Sequence, residues 1–181
     1  MTFTVAVGKV DEEITLQDLA HIDADELFTL VDRNRAYLRQ WLPWLDLTQT
    51  ADDSRALFRR QQTKADEGLS MLYGIEYRDE LCGIAGFRGI DAVNRNCEIA
   101  YWVSEDRQGR GIVTRCVQAL ITYAFTTREL IRVTIPVAVD NHKSRAIPER
   151  LGFAREGILR EAVWLYDHAV DVVLYALLRK D

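Results

Sequence analysis

The sequence is short of the residues that build cross-linked scaffolds, metal centres or membrane spans. Its three cysteines, Cys82, Cys97 and Cys116, are odd in number and follow no paired motif. Each lies inside an apolar pattern, so they read as buried reduced thiols and not as a disulfide framework. The three histidines, His21, His142 and His168, are scattered without ligand spacing, and no metal site is expected. No apolar run approaches the roughly 20 residues that span a bilayer. Residues 1–13 lack the basic segment and long apolar core of a signal peptide, which makes the cytoplasm the expected compartment. Excess positive charge is missing too. The formal net charge of −5 argues against a nucleic-acid groove, which needs a basic face.

What is present fits an ordinary soluble globule. The chain has 181 residues, 48 % hydrophobic and 28 % charged, with no repeat, linker or low-complexity segment. One domain over residues 1–181 is expected, large enough to bury roughly 70 % of its unfolded surface.

Periodicity orders the elements. Residues 3–7 and 14–16 alternate apolar and polar, which predicts a strand or two. Asp23 with Glu26 resembles a helix cap with its reciprocal acid, and Leu27, Leu30 and Val31 give a helix running to about Leu38. A proline-broken aromatic loop follows, Trp41-Leu42-Pro43-Trp44-Leu45. Thr50 and Asp53 open a second helix that fades by Gly68. Residues 71–77 and 81–87 form a hairpin across Arg78-Asp79-Glu80. Residues 97–103 and 132–139 read as strands enclosing an amphipathic helix with Val113, Cys116, Val117, Leu120, Ile121, Ala124 and Phe125 on one face. A short helix spans 143–150, in which Pro148 should shorten or kink the turn as local structure only. Strands 158–166 and 170–178 close the chain across Asp167-His168. The order β–α–α–β–β–β–α–β–α–β–β predicts an α+β domain with a mixed sheet and helices on both faces. The strand–helix–strand unit from Cys97 to Val139 should place two parallel strands together. Pro136 inside the second of them cannot donate to a ladder, so one neighbour should be missing or displaced there.

The stretch Gln108-Gly109-Arg110-Gly111 joins a strand to the central helix. Two glycines around an arginine at a helix start let several backbone N–H groups converge with the positive end of the helix dipole. That makes an anion site suited to phosphate, and Arg107, Arg110 and Arg115 add a local basic patch. A P-loop would need GxxxxGK[ST], which GRGIVTR fails. The dinucleotide fingerprint GxGxxG finds Thr114 at its third glycine, and Asp140 lies too far on for the ribose acid.

Gln108-Gly109-Arg110-Gly111-Ile112-Val113 resembles the motif [QR]-x-x-G-x-[GA] of the GNAT superfamily of N-acetyltransferases, with Val113 in place of the usual small last residue. EIAYWV before it, Asn141-His142-Lys143-Ser144 and LGF after it, RNRAYLRQWLPWL near the start and YDHAVDVVLYALL at the end resemble the RimL/RimJ-type ribosomal-protein acetyltransferase branch. His168 stands where that branch often has glycine. The resemblance covers essentially the whole chain in order. It implies a three-layer fold with a mostly antiparallel, centrally splayed sheet. It also implies acetyl-CoA as co-substrate between two parted strands. The pyrophosphate would rest on Gln108, Gly109, Arg110, Gly111, Ile112 and Val113, and the pantetheine amides would pair with the strand edge around Val103 and touch Asn141. A homodimer is implied as well, and the C-terminal hairpin, with alternating Val172, Leu174 and Ala176, has the length to cover a neighbour's sheet.

Aminolysis of a thioester needs a neutral amine, a polarised carbonyl and a leaving thiolate that gains a proton. Strand alternation puts Glu98, Ala100 and Trp102 on one face and Cys97, Ile99, Tyr101 and Val103 on the other. Glu98 beside aromatics is the candidate base, and in the family such an acid works through water. Its alternative is a salt-bridged structural role. Ser144, three residues past Asn141, falls on the first turn of the short helix; the resemblance puts it near the coenzyme A sulfur as the candidate acid, and its alternative is to cap backbone N–H groups. Tyr101, Tyr166 and Tyr175 are alternative acids. Trp41 and Trp44 wall an acceptor cleft or a dimer contact, or plug the core. The reading is an acetyl-CoA-dependent N-acetyltransferase in which the acceptor amine, the N-terminal α-amine of a ribosomal protein or a small aminoacyl compound, attacks directly in a ternary complex. The alternatives are a catalytically silent coenzyme A sensor and a nucleotide-dependent oxidoreductase.

Overall fold

The computed structural model describes residues 8–180; the strand expected at residues 3–7 lies outside them. Strand β1 is Ile14–Asp18, and helices α1 (Ala24–Arg33), α2 (Arg35–Leu38) and α3 (Ala51–Asp66) follow. Next come β2 (Met71–Tyr77), β3 (Glu80–Asp91), β4 (Asn96–Val103) and helix α4 (Ile112–Thr126). Strand β5 (Arg132–Ala138), helix α5 (His142–Arg150), β6 (Ala154–Leu165) and β7 (His168–Leu178) complete the chain.

The strands form one sheet in the order β1-β2-β3-β4-β5-β7-β6. Every pairing is antiparallel except β4 with β5. Two apolar layers sandwich the sheet. Cys97 and Ile99 of β4 join Cys116, Val117 and Leu120 of α4, with Ile147 and Leu151 packed against them. On the other face Trp102 and Ile84 meet Leu27, Leu30 and Leu38 of α1 and α2. The alternation in β4 therefore divides the two cores as its sequence predicts. Among the described residues no helix is long and apolar enough to cross a membrane.

The structure corrects several local expectations. The first helix stops at Asn34 instead of Leu38. The Asn34 side chain accepts from Glu105 N at 2.9 Å and donates to Leu30 O at 2.8 Å, taking over backbone groups in competition with the helix. Asp23 does cap α1, accepting from Asp25 N and Glu26 N. The two-way capping box is instead at α3, where Thr50 and Asp53 each accept from the other's backbone N–H. The first hairpin turns on Arg78 and Asp79 alone, both with positive φ. The last turns on Tyr166 and Asp167, one residue earlier than expected, with Tyr166 in the left-handed region at φ 57°. Pro148 does not shorten α5, which runs on to Arg150. Strand β7 is interior, and β6 is the sheet edge on that side, opposite β1, exposing Ile158, Leu159 and Trp164.

Candidate active site

The β4–β5 ladder is three pairs long, Asn96 with Arg132, Cys97 with Val133 and Glu98 with Thr134. Beyond Glu98 and Thr134 each strand keeps only its outer neighbour. Ile99 to Val103 stay registered with β3, and Ile135 to Ala138 with β7. The strands thus part into a fork whose β4 arm, five residues past Glu98, is roughly 16 Å long. Pro136 is on the β5 arm, paired with Leu174 and past the last β4 partner, as a residue without a backbone donor requires. Val103 lies at the free tip of the β4 arm. Its antiparallel neighbour is Gly83, where a Cβ would come 2.2 Å from Trp102 O.

Past the tip, the chain makes the turn that the glycines predict. Gly109 has φ 71° and Gly111 φ 72°, and Gly111 caps α4 in the left-handed region with no side-chain cap. The first N–H groups of α4 have no carbonyl of their own helix to bond, and an anion at this end is favoured by the dipole. Ile112 and Val113 are buried and anchor the turn in the core, while Arg110 is exposed. The basic patch is narrower than the sequence suggests. Arg107 pairs with Glu80 and Asp106, and Arg115 pairs with Asp11 and Glu13, partners distant in sequence for the most part. Gln108 Oε1 accepts from Lys143 Nζ at 2.9 Å, which links the glycine turn to α5.

Helix α5 starts where β5 ends. Asn141 Oδ1 accepts from Ser144 N at 3.1 Å, the predicted cap. Ser144 Oγ donates to Tyr101 Oη at 3.3 Å, and Tyr101 Oη donates to Ser144 O at 3.1 Å. These bonds cross from the β4 arm to the first turn of α5. Burial pushes the Tyr101 phenol up to about 12, against the Ser144 hydrogen bond that lowers it. Arg145 clamps the same turn, donating to Val139 O at 2.8 Å and to Tyr175 Oη at 3.1 Å.

Glu98 occupies the closed end of the fork, on the face opposite Tyr101. It is half-buried and ion-paired to Arg88, its register partner on β3. Three strand residues, roughly 10 Å, separate it from the level of Tyr101.

The aromatic loop is partly a core plug. Leu45 is fully buried, Leu42 and Trp44 pack on the α1–α2 core, and Trp41 is half-buried. Arg35 pins the loop through Leu45 O and Thr48 O. Arg39 pairs bidentately with Asp46 and stacks over the Tyr166 ring at 3.8 Å. Tyr166 Oη bonds Leu42 O, so the loop is tied to the tip of the β6–β7 hairpin.

One residue escaped the sequence reading. Glu161 has φ 50° inside the β6 irregularity between Leu159 and Val163. Its N–H donates to Asp171 Oδ1 at 2.8 Å, and Asp171 O accepts from Val139 N beside the open end of the fork. A bulge breaks the period of two, so alternation gives no sign of it.

Comparison with known proteins agrees with this geometry. The acetyltransferase (GNAT) domain profile matches residues 13–154. A putative ribosomal N-acetyltransferase, YdaF, of Bacillus subtilis is 39 % identical over 96 % of this chain and 95 % of its own. The ribosomal-protein-serine acetyltransferase of Escherichia coli is 35 % identical over 97 % of each chain. The solved structure of RimL, the ribosomal L7/L12 alpha-N-protein acetyltransferase, in complex with coenzyme A superposes with a TM-score of 0.88. It is 29 % identical and covers 94 % of this chain and 96 % of that one. The chain belongs to the GNAT family of acetyltransferases.

Proposed function

We propose that this chain transfers an acetyl group from acetyl-CoA to the N-terminal α-amine of a ribosomal protein, by direct attack within a ternary complex. The fork carries the reading. A β4 edge unpaired from Ile99 to Val103, a turn rich in free N–H groups beyond its tip and the hydroxyls of Tyr101 and Ser144 meeting across the fork match the parts of a long acyl donor. The diphosphate would rest on the turn from Gln108 through Val113, with Arg110 beside it. The donor's amides would bond the edge near Val103, with Asn141 alongside. The names of the two relatives support the ribosomal acceptor.

In this assignment Glu98 takes the amine proton through a chain of water, since roughly 10 Å of strand separates it from the Tyr101 level. The nitrogen attacks the thioester carbonyl, the carbon–sulfur bond breaks, Ser144 passes its proton to the departing sulfur, and the proton shed by the new amide nitrogen returns to Ser144 through water. The loop bearing Trp41 and Trp44, tied to the hairpin tip, walls the acceptor side. We assign the whole chain to one cytoplasmic domain that needs no metal, nucleic acid or membrane. The exposed Ile158, Leu159 and Trp164 of β6 support a homodimer.

A second base has a specific observation behind it. Glu161 is exposed on β6 and its N–H is tied to Asp171, whose carbonyl accepts from Val139 N at the open end, whereas Glu98 is engaged by Arg88 at the closed end. Thiol release from acetyl-CoA with peptides of different first residues separates the two. Glu98→Gln should lower kcat/KM about 100-fold or more if it is the base. A loss in Glu161→Gln with Glu98→Gln intact would move the base to β6. Coenzyme A binding without turnover of any peptide or aminoacyl amine would instead make the chain a silent sensor.

A further inference from the structure

We propose that Tyr101 is a positioning residue for the transfer, holding the Ser144 hydroxyl at the donor sulfur by a bond that Pro148 makes available. The inference rests on the assignment of Ser144 in the preceding subsection and deepens it.

In an α-helix the N–H of residue 148 would bond the carbonyl of residue 144. Pro148 has no N–H, so Ser144 O is released inside the first turn of α5. A buried carbonyl left unpaired costs about 1–3 kcal/mol, and Tyr101 Oη removes that cost by donating to it at 3.1 Å. The phenol has one proton, and this bond uses it. Its oxygen then accepts from Ser144 Oγ at 3.3 Å, which settles the hydroxyl in one rotamer facing the fork. When sulfur leaves as a thiolate, Ser144 can turn its proton toward it while Tyr101 keeps its grip on the carbonyl. Tyr101 itself gives up no proton: burial holds the phenol neutral through the physiological range.

The tie also joins the two walls of the fork. Tyr101 belongs to the β4 arm and Ser144 to the helix that follows the β5 arm, three positions past the last ladder pair on the β4 side. Width at the reacting end is therefore set by this contact and not by strand pairing.

Three variants test the proposal: Tyr101→Phe, Ser144→Ala and the two together, with steady-state kinetics, acetyl-CoA affinity and thermal midpoints. Tyr101→Phe should lower kcat roughly tenfold, with the acetyl-CoA KM within about twofold of wild type. The shape of its pH–rate profile should be unchanged. The double variant should be no slower than Ser144→Ala, because nothing remains to be positioned. Wild-type kcat in Tyr101→Phe, or losses that multiply in the double variant, would overturn the proposal while leaving the Ser144 assignment standing. Loss of an alkaline limb in Tyr101→Phe would overturn it by making the phenol a proton donor. Wild-type kcat in Ser144→Ala would remove the assignment itself, and the proposal with it.

Discussion

Pro148 stands four residues after Ser144 in α5, and the carbonyl its absent N–H would have held is bonded from another element by Tyr101. A helix breaker thus remains inside an unbroken helix because a side chain 43 residues away in sequence takes over the missing bond.

Replacing that proline should separate stability from rate. Pro148→Ala restores a helical donor to Ser144 O and relieves an unfavourable helix residue, so the thermal midpoint should hold or rise. The carbonyl would then have a second donor, which weakens its claim on Tyr101. A fall of a few-fold in kcat is expected alongside unimpaired stability. Stopped-assay kinetics and a melting curve on one preparation check both.

Two glycines should fail in different ways. Gly111 has φ 72° and open space where a Cβ would go. Gly111→Ala therefore costs about 1–2 kcal/mol of backbone strain without a clash. The turn should deform, raising the acetyl-CoA KM several-fold with little change in kcat. At Gly86 a Cβ would fall 2.1 Å from Met71 O. Gly86→Ala must force β2 from β3, with a loss of about 3 kcal/mol or more, visible in denaturant unfolding.

Arg115 gives a pH-dependent signal. It joins Asp11 at 2.7 Å and Glu13 at 3.2 Å to helix α4. Burial raises the Asp11 pKa, but the Glu13 N–H and the Arg115 guanidinium outweigh it and leave the carboxyl below its ordinary value. Glu13 is lowered chiefly by Arg78, against burial, with Arg115 adding to the effect. Depressed carboxylates stabilise the fold above their unfolded pKa of about 4 and lose that contribution as pH falls through the folded value. Arg115→Met should melt a few degrees below wild type at pH 7. The two curves should converge below about pH 4.

The cysteines should be silent. Cys82, Cys97 and Cys116 are each at most 2 % exposed, and burial pushes each thiol up to about 12. An aromatic disulfide reagent should titrate no thiol in the native chain and all three in denaturant. Fast labelling of one native thiol would show that its core opens.

Much of this was readable before the fold because it is local. Apolar spacing announced α4, and two glycines at a helix start announced the turn. Pro136 announced an absent neighbour, since a residue without N–H cannot serve a ladder on both sides. The misses share a cause. Asn34 ends α1 by bonding Glu105 N, 71 residues away, so nothing near it signals the break. Arg107 and Arg115 looked available beside the glycines because Glu80, Asp11 and Glu13 are brought to them only by the folded sheet. Glu161 was hidden by the bulge that makes it notable. Among three tyrosines, only the contact with Ser144 singles out Tyr101.

The brevity of the β4–β5 ladder reaches beyond chemistry. With three residue pairs joining its halves, the sheet carries an edge in its own middle, and exposed edges invite pairing with foreign strands. An occupant that bonds those arms would serve as a surrogate strand as well as a reactant. Without one, both arms stay open to pairing with another strand.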